Sequence, residues 1–430
     1  MHTHSHVHGG GGLVSSTTTR RGGRSERQAR HARPERGRPD ARRRAPRGFG
    51  RFLGSLAVWL LLWWSVLGAL LAPVVPGGWW GVALLAVVTT APLAAIILGF
   101  RRHLYPGALF RLFVLRPFCY AQLLLPVLGA AGVVGVLLGL PFGAAGAGGR
   151  WAVAVAAAIS AAAILAGYVG SRRLVRTDVT ASWPDLPEAL DGLRIGQLSD
   201  VHVGPHTSRA HLARAARLVS EAAPDLVVVT GDLIDDHAPD VAHYGRAFGA
   251  LAAPLGVFAI PGNHDVYADW PAVRAGLERL PLTLLVNEHR VVERSGARLA
   301  VVGTGDPAGR GNGAGPDVVA ALAGVPDDAF VLALAHNPAL WPALADRGVS
   351  LTLSGHTHWG QFAVPSLGWS LASPFLEHAM GTHAREDSLL YIHPGTNYWG
   401  IPFRLGTPPE VAVVTLRRGA LGIERRVVRG

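Results

Sequence analysis

Two hydrophobic patterns divide the chain. In the first, uncharged apolar runs at about 52–75, 79–100, 118–141 and 151–170 show no polar face along their length. At about 1.5 Å per residue each can cross roughly 30 Å of hydrocarbon, whereas helices on a soluble core would carry an amphipathic stripe. The pattern predicts four membrane helices, with interface anchors among Trp59, Trp63, Trp64, Trp79 and Trp80.

The second pattern begins near residue 177. LRIGQLSD (193–200), DLVVVTGD (225–232), GVFAIPGNHD (256–265), FVLALAHN (330–337) and VSLTLSGH (349–356) read as short buried strands. SRAHLARAARLVSEAA (208–223) reads as a helix with Ser208 at its N-cap. LTLLVNEHRVVERSGARLAVVG (282–303) reads as a hairpin turning at Ser295-Gly296. Strands alternating with helices predict an α/β fold with its site at the strand ends.

Charge follows the same division. Of the formal +11, residues 1–51 hold thirteen Arg against Glu26, Glu35 and Asp40, and 52–176 hold eight Arg and no acid. Residues 177–430 hold nineteen Arg against twenty-six acids. The basic charge thus lies in a tail and in short loops beside apolar runs, which fits orientation in a membrane, and no specific nucleic-acid partner is expected. Every basic residue is Arg, a coding bias that weakens Arg clusters as evidence of a binding surface.

Residues 1–48 have almost no large apolar side chains and are expected to be disordered; the alternating His2, His4, His6 and His8 have no pre-formed geometry for a metal. RRHLYPGALFRLFVLRPF (101–118) reads equally as an amphipathic surface segment or a plain basic loop. Cys119 has no partner, which excludes a disulfide framework or a thiolate zinc site.

Each predicted strand ends in ligand chemistry: Asp200 and His202 in SDVH, Asp232 in TGD, Asn263 and His264 in GNHD, His336 in AHNP, and His356 with His358 in GHTH. On an extended segment, residues i and i+2 share a face, so D-x-H and H-x-H should each direct two side chains to one place. A carboxylate such as Asp232 can bridge two cations, and two cations about 3.5–4 Å apart can clamp a phosphate. Mixed imidazole and carboxylate donors favour Mn, Fe or Zn over Mg.

The ordered set D-x-H, G-D, G-N-H-D, H-N-P, G-H-T-H resembles the calcineurin-like metallophosphoesterase superfamily, from about Pro184 to Arg418. It is similar in particular to a bacterial membrane-associated branch with LSDxHxG, PDLVxxTGD and LSGHTH phrasing and a closing Arg followed by PPE, as in Arg404, Pro408, Pro409 and Glu410. The resemblance implies an αββα sandwich preceded by the four membrane helices. It places Asp200, His202, Asp232 and His358 on one metal and Asp232, Asn263, His336 and His356 on the other. His264 becomes the acid facing the phosphate, with Asp265 orienting it, and a metal-bridging hydroxide would hydrolyse a phosphomonoester or phosphodiester, lipid-linked or nucleotide-type.

Trp359 stands where the branch often has Gly, and either stacks on substrate or walls the pocket; Arg404 either contacts phosphate or forms a structural ion pair. His206 reads as a loop residue, and Asp235 and Asp236 as helix-start or solvated charges. The expected division is a tail (1–48), a membrane region (49–171), a linker (172–192) and a catalytic domain (193–430). Membrane lipid and a phosphoester are the expected partners. The competing expectation is a catalytically silent membrane sensor or scaffold, which loss of any ligand would have favoured. The Arg-rich tail, the 101–117 connection and the exit near Arg172 point to a multi-pass protein of the cell membrane with its catalytic domain in the cytoplasm. Arg20-Arg21, resembling a twin-arginine export signal, gives the opposite sidedness.

Overall fold

The computed structural model describes residues 49–102, 108–110, 113–114, 116–204 and 207–428, with the side chains of 49–53, 92–102 and 108 excepted. The tail to residue 48, His206 and residues 103–107, 111–112 and 115 of the 101–118 segment lie outside the described residues. The chain forms two units, Met1–Trp59 and Leu60–Gly430; the described part of the first is the beginning of a helix.

The apolar runs are helical over Phe49–Leu71, Trp79–Arg102, Arg116–Gly139 and Ala145–Gly170. Three stretches, Gly54–Leu71, Arg116–Phe142 and Ala145–Gly170, are long and apolar enough to cross a membrane. The expected fourth span lies in the Trp79–Arg102 helix, whose described side chains are apolar over Trp79–Ala91, so the described residues define three such helices and not clearly four. Leu137, Phe142, Trp151, Ile159 and Leu165 point outward and are exposed, a surface that suits lipid far better than water.

Among the described residues fifteen strands follow: β1 (Val175–Trp183), β2 (Arg194–Leu198), β3 (Leu226–Thr230), β4 (Val257–Ile260), β5 (Thr283–Leu284), β6 (Glu288–Arg294), β7 (Ala297–Gly303), β8 (Phe330–Leu334), β9 (Leu351–Ser354), β10 (Ala363–Val364), β11 (Trp369–Ser370), β12 (Gly381–Arg385), β13 (Ser388–Ile392), β14 (Glu410–Arg418) and β15 (Gly422–Val428). One sheet runs β15-β1-β14-β2-β3-β4-β5 and a second β12-β13-β9-β8-β7-β6, with β10 and β11 as a small pair.

Period-two alternation sorts the side chains into layers. Val228, Ile260, Leu332, Leu353 and Val414 join one buried cluster shared by both sheets. Val227 and Val229, on the other face of β3, pack with Leu212, Val219, Tyr244 and Leu277 from the helices Arg209–Glu221, Val241–Phe248 and Trp270–Leu277. Ala300, Val302 and Ala333 pack on the far side of the second sheet with Ala321 and Leu344.

Two expectations change. The stretch 172–192 is not a linker, because β1 pairs parallel to β14 and antiparallel to β15; its polar Arg176, Asp178 and Thr180 alternate with buried Thr177, Val179 and Ala181, which hides a half-buried strand. The run 282–303 is not one hairpin. β6 and β7 do turn at Ser295-Gly296, but β5 pairs with β4 in the other sheet. Asn287, at positive φ, makes the crossing, its side-chain oxygen accepting from the backbone N–H of Gly305 and Asp317. Ser208 occupies the N-cap of its helix without a side-chain cap bond.

The sheets are also joined by buried polar groups. Glu410 on β14 accepts from the Thr177 hydroxyl at 2.7 Å, from Tyr391 of β13, and from Arg425 of β15. Burial pushes its carboxyl up, but Arg425 and the hydrogen bonds outweigh this and hold it below the usual range. Glu410→Gln leaves a buried guanidinium uncompensated and is expected to cost about 3–5 kcal/mol, read as a lower thermal midpoint in detergent. A depressed carboxyl stabilises above its unfolded pKa of about 4.3 and loses that contribution as pH falls. The difference between wild type and variant should therefore be full at pH 7 and shrink on acidification.

Candidate metal centre

β2, β3 and β4 run parallel in one sheet and β8 and β9 run parallel in the other. Parallel strands present their C-terminal ends on one edge, so the loops carrying Asp200 and His202, Asp232, Asn263 and His264, His336, and His356 and His358 collect there. Contacts close the gap between sheets: His336, after β8, places Nδ1 2.8 Å from the Thr230 carbonyl of β3, and His358 Nε2 is 3.3 Å from Asp200 Oδ1.

The loops are strained where they meet. Of twelve non-glycine residues with positive φ among the described residues, Asp200, His202, Asp232, His356, His358 and Trp359 lie here, and such conformations cost about 1–3 kcal/mol each and persist where packing over-determines them. The expected i, i+2 geometry is therefore corrected. His356 and His358 lie beyond β9 in left-handed backbone and diverge: His356 Nδ1 is 2.8 Å from Asn263 Oδ1, while His358 Nε2 is 3.0 Å from His202 Nε2. The glycines of GNH and SGH are required by crowding, since a Cβ on Gly262 would collide with Asp232 and one on Gly355 with Ser199 and Asp200.

Two neighbouring groups result. Asp200, His202 and His358 offer ligand atoms within 4.8 Å of one another, as do Asp200, Asp232 and His336. Asp232 stands between the groups, its Oδ2 3.6 Å from His202 Nε2 and 3.3 Å from His336 Nε2. His336 Nε2 is also 3.2 Å from Asn263 Oδ1. Burial pushes Asp232 up, but His336, His202 and His264 outweigh it and hold the carboxyl well below its usual range. Burial, Arg404 and His202 push His358 well down, favouring the neutral imidazole that a metal needs. With Nδ1–H of His336 donating to a carbonyl, its Nε2 faces the centre, the orientation of a ligating histidine. Two fully buried carboxylates side by side require compensating cations, and this donor set fits two divalent ions.

His264 sits at the rim, within 4.8 Å of His202 and Asp232, its N–H donating to Asp232 Oδ1 at 2.8 Å. Its ring is held at Nδ1 by the Asp235 carbonyl, 2.7 Å away, with the Asp235 carboxylate at 3.7 Å. Asp235 also lies 3.4 Å from His202 Nδ1. Asp235, expected to be a helix-start or solvated charge, thus holds the His264 ring. Asp265, expected in that role, is fully buried and accepts N–H bonds from Gly262, Ile234 and Leu233 instead. It pins the loop after Asp232 to the GNH turn; burial and the Asp232 charge push its carboxyl up to about 7.

Trp359 and Arg404 both stand behind the centre. Trp359 is buried in an apolar cluster with Trp341 and Ile392, its indole N–H donating to the Ile392 carbonyl. Arg404, 1 % exposed, donates to the His358 carbonyl at 2.9 Å and to Asn397, with Nη2 2.8 Å from His358 Nδ1. Neither is placed to meet a substrate directly. The exposed aromatics beside His264 are Tyr267 and Trp399, each with its ring centroid 5.7 Å away. Tyr267 follows GNHD by two residues and was within reach of sequence reasoning; Trp399 arrives from a distant loop and was not.

Residues 193–360 match the calcineurin-like phosphoesterase family. The chain is 32 % identical over 382 residues to a "transmembrane protein with metallophosphoesterase domain" of Danio rerio, covering 85 % of this chain and 87 % of that protein. It therefore belongs to the calcineurin-like metallophosphoesterase family. A Bos taurus protein of the same description is 33 % identical over 247 residues, about half of each chain (54 %). The Bacillus subtilis (strain 168) metallophosphoesterase YkuE is 29 % identical, covering 60 % of this chain and 94 % of its own.

Proposed function

We propose that the chain is a membrane-seated two-metal phosphoesterase that hydrolyses a phosphomonoester or phosphodiester. The observation that carries this is Asp232, whose one carboxylate oxygen lies between the His202 and His336 rings. Asp200, His202, Asp232 and His358 would hold one cation, and Asp232, Asn263, His336 and His356 the other, with Mn, Fe or Zn suited to the donors. Such a pair supplies Lewis acidity and an activated water. His264, held at Nδ1 by Asp235, presents Nε2 as a donor to the phosphoryl or leaving-group oxygen. Metal analysis of the purified full-length chain should find two equivalents, with p-nitrophenyl phosphate or its bis-ester turned over and chelation abolishing the activity. A chain that binds both metals and cleaves neither ester would overturn the reading.

The reading extends to sidedness. The N-terminal end of the Arg116–Gly139 helix and the C-terminal end of Ala145–Gly170 both meet the catalytic part: Tyr120 donates to the Pro402 carbonyl at 3.1 Å, and the Gly167 carbonyl accepts from Arg404 N–H at 2.8 Å. The catalytic part therefore shares a side with Arg116 and Arg172, and Arg-rich flanks are cytoplasmic. Reporter fusions after Thr180 are expected to be active in the cytoplasm alone; activity solely from an export-dependent reporter would reverse the assignment.

A further inference from the structure

The segment FAVPSLGWSLASPFL (362–376) has no charged residue, and its larger apolar side chains from Leu367 onward are exposed. Phe375 is 80 % and Leu367 76 % exposed, and Trp369, Leu371, Leu376 and Trp399 are exposed beside them. A contiguous apolar surface of this kind marks a binding face.

Its position indicates the occupant. Gln361 and Trp399 exchange two hydrogen bonds, and Ala363 N–H donates to the Leu405 carbonyl at 3.0 Å, so the segment is tied to the 399–405 strap. That strap is fixed to the last turn of the Ala145–Gly170 helix through the Arg404 bond to Gly167. Phe403 packs so closely on Gly167 that a Cβ there would collide with its ring. The apolar segment is thus tied through the strap to the end of a helix of membrane-spanning length, the level at which Trp and other aromatics partition into an interface. At its inner end Trp399 borders His264.

We propose that Pro365–Leu376 and Trp399 form an interfacial anchor that dips into the lipid surface and holds the mouth of the metal centre at headgroup level, so that the phosphoester taken is one carried by a lipid. The substrate part rests on the phosphoesterase reading above; the membrane contact does not.

The test uses the full-length chain with Cys119→Ser and Phe375→Cys, labelled with an environment-sensitive fluorophore and reconstituted in phosphatidylcholine/phosphatidylglycerol vesicles with or without spin-labelled lipid. Blue-shifted emission and quenching by the spin label are expected, with neither at Val319→Cys, an exposed position behind the second sheet. Water-like, unquenched emission at position 375 overturns the anchor. In a second measurement, Leu367→Asp with Phe375→Asp should lower turnover of phosphatidic acid in vesicles by about tenfold while leaving soluble p-nitrophenyl phosphate unchanged. Equal loss on both, or loss on neither, overturns the lipid substrate. If wild type cleaves neither ester, the phosphoesterase reading has failed, and quenching alone decides the anchor.

Discussion

Asp232→Asn is expected to abolish turnover more thoroughly than any other single ligand change, lowering kcat by about 10³-fold or more. A shared carboxylate supports both cations, whose charge stabilisation is worth several kcal/mol, and about 4 kcal/mol corresponds to three orders of magnitude. Asn preserves shape and can still accept the His264 N–H bond now made at 2.8 Å, so the loop should hold. Metal content should fall from two equivalents towards one, with circular dichroism unchanged. A variant that retained both metals and near-normal rate would show that Asp232 does not bridge.

The grouping of these side chains was legible because they follow buried strands at short, repeated distances. LVVVT and LTLS read as strands from their apolar runs, and the residues after them are the ones the parallel sheets bring together. What could not be read was direction. The alternation rule fails at His356 and His358 because left-handed backbone intervenes, and no periodicity announces that at a non-glycine residue. The same limit explains Asp265 and Asp235: adjacency in sequence favoured Asp265 as the partner of His264, while the fold turns it towards backbone N–H groups and brings Asp235 to the ring from another loop. From sequence Arg404 stood between a phosphate contact and a structural ion pair; burial behind His358 gives it a positioning geometry. β1 was missed because Thr177 at a buried position and Arg176 and Asp178 at half-buried ones mask the apolar alternation.

His264→Ala is expected to keep both metals and lose about 10²–10⁴-fold in single-turnover rate, the usual worth of general acid assistance. Two features of its setting lead to this outcome. The ring lies at the rim beside exposed Tyr267 and Trp399, where a substrate would enter, whereas His202, His336 and His358 are buried. Its Nδ1 is engaged by a backbone carbonyl, which fixes a tautomer with Nε2 as acceptor if the ring is neutral and as donor once it carries a second proton. Because the Asp235 carbonyl is the nearer anchor and its carboxylate is 3.7 Å away, Asp235→Ala should retain the orientation in part and cost about tenfold, at the low end for groups that orient site residues. The discriminating measurement is metal content alongside rate. His264 also lies within ligand distance of His202 and Asp232, so loss of one metal equivalent in His264→Ala would make it a ligand and remove the acid role.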